Sequence, residues 1–152
     1  QHCLIVEAIM RGVIVKNPKF ALLDDMGKLI VRLCALFHDG SEAYLPDMPT
    51  PIKDKLPEYR ILEDKVLARV FQGLNLPFPY PFKDVIKAVD TQIRSSEVVC
   101  LSNWDTSEVI DVFNLKIKPM EAEEAENAFL FCYEQIIKEL NGINNLKVEL
   151  HA

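Results

Sequence analysis

The chain has 152 residues, of which 49% are hydrophobic and 26% charged, a composition that predicts one soluble globular domain with a sizeable core. Its formal net charge of −6 at pH 7 argues against a protein that binds duplex nucleic acid, because such proteins normally carry a basic patch. No apolar run reaches the roughly 18 residues of a membrane span, no signal peptide is recognisable, and four scattered cysteines predict free thiols in a reducing, cytoplasmic compartment.

Most segments carry the apolar spacing of amphipathic helices, and no convincing strand alternation is present. Asn141-Gly142 is expected to end the last helix, and Thr50-Pro51 reads as an N-cap followed by proline at the first helical position. Residues 103–118 have no clear assignment. The sequence therefore predicts an all-α fold with one domain over residues 1–152. Its main helices are expected at about residues 1–15, 24–39, 58–73, 83–101 and 119–140.

Histidine and aspartate residues predict a metal site. His38 and Asp39 stand side by side at the end of an apolar helix, although alone they would read as a solvated helix end. Asp90 lies among apolar residues of another helix, where a buried carboxylate is costly unless it binds a metal or a partner such as Arg94 at i+4. His2 completes an order of His, His-Asp and Asp that suits one divalent ion such as Mn, Co, Fe or Zn. We therefore predict that His2, His38, Asp39 and Asp90 are metal ligands.

The connector after this pair carries further polar candidates. Glu42 follows His38 by four residues, which makes it a candidate general acid/base for a metal-bound water. Asp47 is placed to orient the same water or to bind a substrate hydroxyl, and the alternative is that both are solvated loop carboxylates. Lys53 and Lys55 follow a predicted helix start, a place that attracts phosphate oxygens. Beside a metal, these lysines favour phosphoester chemistry over peptide hydrolysis.

The order of these residues resembles the metal-ligand pattern of the HD-domain phosphohydrolases. The segment 35–66 is similar to the branch that contains bacterial 5′-deoxynucleotidases and phage HD phosphohydrolases, among them phage enzymes that hydrolyse dATP. The likeness extends from Gln1 to about Trp104. Guanosine tetraphosphate hydrolases of the same superfamily carry HDxxED, whereas Ala43 follows Glu42 here, which argues against that branch.

The resemblance implies an all-helical fold that holds one divalent metal ion (Mn, Co, Zn, Fe or Mg), and it leaves open a second ion that arrives with the substrate phosphates. It implies that Glu42 is the catalytic glutamate and Asp47 a second catalytic residue. Pro51 and Lys53 match positions that line the nucleotide pocket, Lys53 towards the phosphates. It also implies a homo-oligomer in the cytoplasm of a bacterium or a phage-infected host, with neither a nucleic-acid polymer nor a membrane as partner.

The expected function is hydrolysis of a 2′-deoxynucleotide, with a deoxyadenine nucleotide (dATP, dADP or dAMP) as the first choice, by attack of a metal-bound water on phosphorus. A 5′-deoxynucleotidase of broad base specificity acting on monophosphates is the alternative, and a catalytically silent nucleotide-binding domain is a further one. The family's phosphate-binding arginine and a neighbouring aromatic residue lie upstream of the first ligand histidine. Because the chain begins at Gln1-His2 without Met, we expect those upstream residues to be missing.

Overall fold

The computed structural model describes residues 1–103, 105–111 and 113–149. Within these ranges the chain forms α-helices joined by loops and two 3-10 turns, and no strand is present, which confirms the predicted all-α fold. No helix among the described residues is long and apolar enough to cross a membrane. The helices are α1 (His2–Lys16), α2 (Asp25–Leu36), α3 (Thr50–Lys53), α4 (Pro57–Gly73), α5 (Lys83–Leu101) and α6 (Ala122–Glu149), and the 3-10 turns cover Pro18–Phe20 and Gly40–Ala43.

Helix α1 is the centre of the packing, because it lies against α2, α5 and α6. Its apolar stripe includes Val6 and Met10, which are both fully buried. Helix α2 begins at a cap in which the Asp24 carboxylate accepts a hydrogen bond from the Gly27 backbone N–H at 2.8 Å, a contact that satisfies one free helix N–H. It then buries nearly all of its second half. This packing brings the start of α1, the end of α2 and the middle of α5 to one place.

Helix α2 ends earlier than the sequence suggested. Its last residue is Leu36, so His38 and Asp39 lie in the turn that follows rather than in the last helical turn. Gly40 follows this pair and has no positive φ. A Cβ atom at Gly40 would lie 3.1 Å from Cγ1 of Val70 on α4. The glycine therefore permits a close approach between the turn and α4.

Helix α6 is longer than predicted. It continues through Asn141-Gly142 to Glu149 instead of ending near residue 140. A glycine inside a helix costs only about 1 kcal/mol relative to alanine. Ile143 follows Leu140 by one turn and packs against the core, so the apolar stripe continues past the glycine and offsets that cost.

Helix α4 buries a narrow face. Its buried residues are Leu67 and Phe71, whereas Leu62 is 45% exposed. The four cysteines are free, as predicted, and Cys100 is exposed.

A buried ion pair ties three helices together. The Glu7 carboxylate on α1 is nearly inaccessible and accepts a hydrogen bond from Nε of Arg32 on α2 at 2.6 Å. The same guanidinium lies 3.6 Å from the carboxylate of Glu139 on α6. Because a lone charge is expensive to bury, this pair makes the three helices depend on one another.

Replacement of Arg32 by methionine should lower the free energy of unfolding by about 3–5 kcal/mol, because it leaves the Glu7 carboxylate buried without its partner. Urea unfolding at pH 7, followed by circular dichroism, measures this loss. The double variant Glu7→Leu/Arg32→Met should recover most of it, since both charges are then gone. Arg11→Met, at an exposed arginine of α1, is the matched control. An unchanged stability in Arg32→Met would contradict the structural role of the pair.

Candidate metal centre and active site

The four predicted ligands meet at one point. His2 opens α1, His38 and Asp39 follow α2, and Asp90 lies in the middle of α5. One ligand atom from each lies within 4.8 Å of all the others. Ligands bound at about 2.0–2.2 Å to a single ion are spaced on this scale, so the cluster has the size of a mononuclear site.

The two histidines present free nitrogens to this point. His38 donates through Nδ1 to the Ala35 carbonyl at 2.8 Å, and His2 through Nδ1 to Oε1 of Glu97 at 2.9 Å. Their Nε2 atoms are the buried side-chain polar atoms that lack a hydrogen-bond partner among the described residues. Two imidazole lone pairs beside two carboxylates suit a borderline divalent cation, so the residues present fit a metal ion.

Asp90 is the most deeply buried member of the set, with a fully inaccessible side chain. Its Oδ1 lies 3.2 Å from His2 Nε2 and accepts a hydrogen bond from Nε of Arg94 at 3.0 Å, while Oδ2 pairs with Lys87. Burial raises the pKa of Asp90, but these cationic neighbours outweigh it and hold the pKa well below its usual range. The Arg94 pair that the sequence offered as an alternative therefore coexists with the metal-ligand geometry.

The carboxylates also set the charge of His2. Burial alone would lower the pKa of this imidazole, but Asp90, Glu97 and Asp39 more than offset that effect and raise the pKa to about 9. The pKa of Asp39 is lowered, because contact with His38 and His2 exceeds the opposing effects of burial and of nearby Asp90. Without a cation in the cluster, the His2 imidazolium supplies the balancing positive charge.

A cleft of about 360 Å³ opens beside His38 and Asp39, a volume within the range of small-ligand sites. Cations and carboxylates alternate around it, and they come from α3, α4 and α5 and the connections between them. Within the described part of the chain, the lining cations are Lys53, Arg60, Lys83, Lys87 and Arg94, and the lining carboxylates are Asp39, Glu42, Glu63 and Asp64.

Glu42 lines this cleft beside the metal cluster. Its side chain forms no hydrogen bond or ion pair with any described residue, so it is available to a ligand or to water. Partial burial, reinforced by the charges of Asp39 and Asp47, raises its pKa. A raised pKa moves a carboxyl group towards neutral pH, where a general acid/base works best.

The remaining predicted residues lie further out. Lys53 lines the cleft, and its Nζ lies 2.7 Å from Oε1 of Glu63 and 3.3 Å from Oδ1 of Asp47. Burial lowers the pKa of Lys53, but these carboxylates reverse the shift and raise it. Asp47 is 69% exposed and reaches the cleft only through Lys53, while Pro51 is exposed and is not part of the lining.

The sequence reasoning missed several residues of the site. Lys87 and Glu97 stand three residues before and seven after Asp90, on the same face of α5, and this spacing is a usable signal. Tyr80 lines the cleft from the proline-rich connection, where its ring stacks on Phe71 with centroids 5.0 Å apart. Burial, then nearby carboxylates such as Asp39, raise the pKa of Tyr80. No periodic pattern marks this tyrosine.

Asp90→Ala should abolish binding of a divalent ion, because it removes the ligand that α5 contributes. Elemental analysis after equilibration with Mn²⁺ and gel filtration measures the occupancy. Asp84→Ala, at an exposed aspartate of the same helix, should bind metal as the unaltered protein does. Full occupancy in Asp90→Ala would remove Asp90 from the ligand set.

The raised pKa of His2 predicts the pH dependence of the metal-free protein. A raised folded-state pKa stabilises the fold fully below the ordinary value of about 6.5, and this contribution is lost as pH rises through about 9. The free energy of unfolding in EDTA should therefore fall between these limits. Metal affinity should rise over the same range, because the proton must leave before Nε2 can bind.

Urea titrations between pH 6 and pH 9.5 test this behaviour against His2→Gln, which removes the titrating group. The variant should lose the part of the pH dependence that His2 contributes. An identical pH profile in both proteins would show that His2 is not the titrating group.

Comparisons with known proteins place the chain in a family. The family model described as 5′-deoxynucleotidase YfbR-like matches residues 1–152. A protein of Rhodobacter capsulatus without an assigned function is 31% identical over 123 residues, which cover 73% of this chain and 63% of that protein. The protein YfdR of Escherichia coli is 39% identical over 56 residues, which cover 34% of this chain and 32% of YfdR.

A protein of Photorhabdus temperata named 5′-deoxynucleotidase yfbR is 27% identical over 110 residues, which cover 69% of this chain and 54% of that protein. The chain thus spans less than two thirds of the length of each of these relatives. No solved structure matches it. On the match along its whole length, the chain belongs to the 5′-deoxynucleotidase YfbR-like family.

Proposed function

We propose that the chain is a metal-dependent phosphohydrolase that removes phosphate from a 2′-deoxynucleotide, with a deoxyadenine nucleotide such as dAMP as its preferred substrate. The observation that carries this proposal is the His/Asp cluster at the edge of a cleft that holds an unpaired Glu42 and several cations. The combination offers a place for a metal, a proton carrier and an anion within one small volume.

Each residue of the cluster has a defined task in this proposal. His2, His38, Asp39 and Asp90 hold the divalent ion, which when bound acidifies water and offsets the charge of a phosphoryl group. The hydrogen bond from His38 Nδ1 to the Ala35 carbonyl fixes the ring so that Nε2 faces the cluster. Asp90 keeps its negative charge because its pKa is depressed.

Glu42 moves the proton. Its carboxylate takes a proton from the attacking water and then returns it to the oxygen that leaves phosphorus, so that water and a phosphate ester give inorganic phosphate and an alcohol. A carboxyl group with a raised pKa performs both halves of this exchange more readily than an ordinary one. A domain that only binds nucleotides has no need of such a group, which favours hydrolysis over silent binding.

The cations of the cleft bind the phosphate. Lys87 and Arg94 reach from α5 with half-exposed side chains, and Lys53 lines the same cleft from α3. A dianionic phosphate among these groups gains charge-assisted hydrogen bonds. Lys53 also forms an ion pair with Asp47, and in this proposal the exposed Asp47 carboxylate accepts a hydrogen bond from the sugar.

Two observations support the choice of substrate. The family description and the name of the Photorhabdus relative both specify a 5′-deoxynucleotidase, which favours a monophosphate. The likeness of residues 35–66 to the phage branch favours adenine. dAMP satisfies both.

The purified protein with Mn²⁺ or Co²⁺ should release inorganic phosphate from dAMP faster than from AMP, dGMP, dCMP, dTMP or dATP. Glu42→Gln should lower kcat by about 10²–10⁴-fold, the usual contribution of a general acid/base, while the metal content stays unchanged. Phosphate release and elemental analysis on the same samples measure both quantities.

Glu58→Gln, at an exposed glutamate at the start of α4, is the matched control and should keep full activity. Undiminished turnover in Glu42→Gln would refute the proton transfer. Metal-loaded protein that hydrolyses none of these nucleotides would refute the function itself and favour a binding domain.

A further inference from the structure

The imidazole of His2 is held at both nitrogens by a single helix. Its Nε2 lies 3.2 Å from Oδ1 of Asp90, and its Nδ1 lies 2.9 Å from Oε1 of Glu97. Asp90 and Glu97 are two helical turns apart on α5, so both carboxylates project from the same face. The ring of His2 therefore bridges from one carboxylate to the other.

The other ligand histidine has a different kind of support. His38 donates to the carbonyl of Ala35, three residues earlier in its own turn, so local backbone folding fixes its ring. His2 is the first residue of α1, and no side chain caps that end of the helix. Its orientation depends on a contact with a distant part of the chain, and Glu97 supplies that contact.

Glu97 is free to act on His2 alone. Its carboxylate is partly buried and forms no other ion pair or hydrogen bond among the described residues. It contacts the ring nitrogen that points away from the cluster, and the four-residue cluster does not include it. It therefore supports a ligand instead of being one. A carboxylate that accepts the N–H of a ligand histidine fixes the tautomer and makes the other nitrogen a stronger donor.

We propose that Glu97 is the positioning residue that turns His2 into a strong metal ligand, by accepting its Nδ1–H and directing Nε2 into the cluster. This inference rests on the metal site of the proposed function, but not on which nucleotide is hydrolysed. A simpler role would be an ion pair that only ties α1 to α5. Such a pair would change the stability of the fold without changing the affinity for metal.

The test measures Mn²⁺ affinity by isothermal titration calorimetry on the folded chain. Glu97→Ala should weaken binding by about 10- to 100-fold, the usual effect of losing such a partner. Glu97→Gln keeps an acceptor oxygen without the charge, so its loss of Mn²⁺ affinity should be near the lower end of this range, at about tenfold. Glu126→Ala, at an exposed glutamate of α6, should bind Mn²⁺ as the unaltered protein does.

A second readout follows the imidazole directly. The chain has three histidines, so the ring nitrogens of His2 can be assigned by ¹⁵N NMR in the Zn²⁺-loaded protein. The unaltered chain should show Nδ1 protonated and Nε2 bound to metal, and in Glu97→Ala the Nε2 signal should lose its metal-bound shift at a Zn²⁺ concentration that saturates the unaltered chain. A purely structural ion pair predicts that the metal-bound Nε2 shift and the Mn²⁺ affinity both survive.

Unchanged Mn²⁺ affinity in Glu97→Ala would overturn the proposal. If Glu97→Ala does not fold, Glu97→Gln decides in its place, and an affinity equal to that of the unaltered protein overturns the proposal equally. An unaltered chain that binds Mn²⁺ through His2 but hydrolyses no nucleotide would refute the proposed function while this inference stands, so the two failures are distinguishable.

Discussion

The arrangement of helices depends on compensating the charge of one buried carboxylate, that of Asp90. An isolated ion in a protein interior costs several kcal/mol even after relaxation, so α5 can pack only where positive partners surround this group. Lys87 and Arg94 lie on the same helix as Asp90, whereas His2 lies on α1 and reaches Asp90 only if the two helices pack together. The packing of α1 against α5 is therefore coupled to a charge balance as well as to apolar burial.

The distribution of charge explains how an acidic chain can gather several cations in one cleft. The net charge of −6 belongs to the whole surface, whereas the cleft gathers lysines and arginines from α3, α4 and α5 around its rim. His38 and Asp39 of the His/Asp cluster also line this cleft. Under the proposed function, a phosphate ester would contact these cations beside the His/Asp cluster. Charges at these short distances outweigh a distant surface charge that salt largely screens.

The sequence was sufficient to predict the main helices and the four residues of the His/Asp cluster. Asp90 stood out because its carboxylate interrupts an apolar run between Val89 and Ile93, whereas His2, His38 and Asp39 gained meaning only from their order along the chain. The end of α6 was missed because Gly142 is an ordinary helix terminator by local rules, and only the packing of Ile143 on the core reveals that the helix continues. Tyr80 was missed for a similar reason, since the proline-rich loop before α5 has no periodicity that could place its ring against Phe71.

Helix α5 shows why such a site is hard to recognise from its own residues. Lys87, Asp90, Arg94 and Glu97 alternate in charge along one face at the spacing of a solvated helix, where each pair would contribute only about 0.3–0.5 kcal/mol. Packing of the same helix alters this energy, because it removes water from Asp90 but not from its charged neighbours. The buried residues around Asp90 are Ile86, Val89, Ile93 and Ser96. A pattern of charges typical of a solvated helix thus becomes a buried carboxylate with fixed partners. The chemistry follows from where the helix is packed, and its charged residues alone do not reveal it.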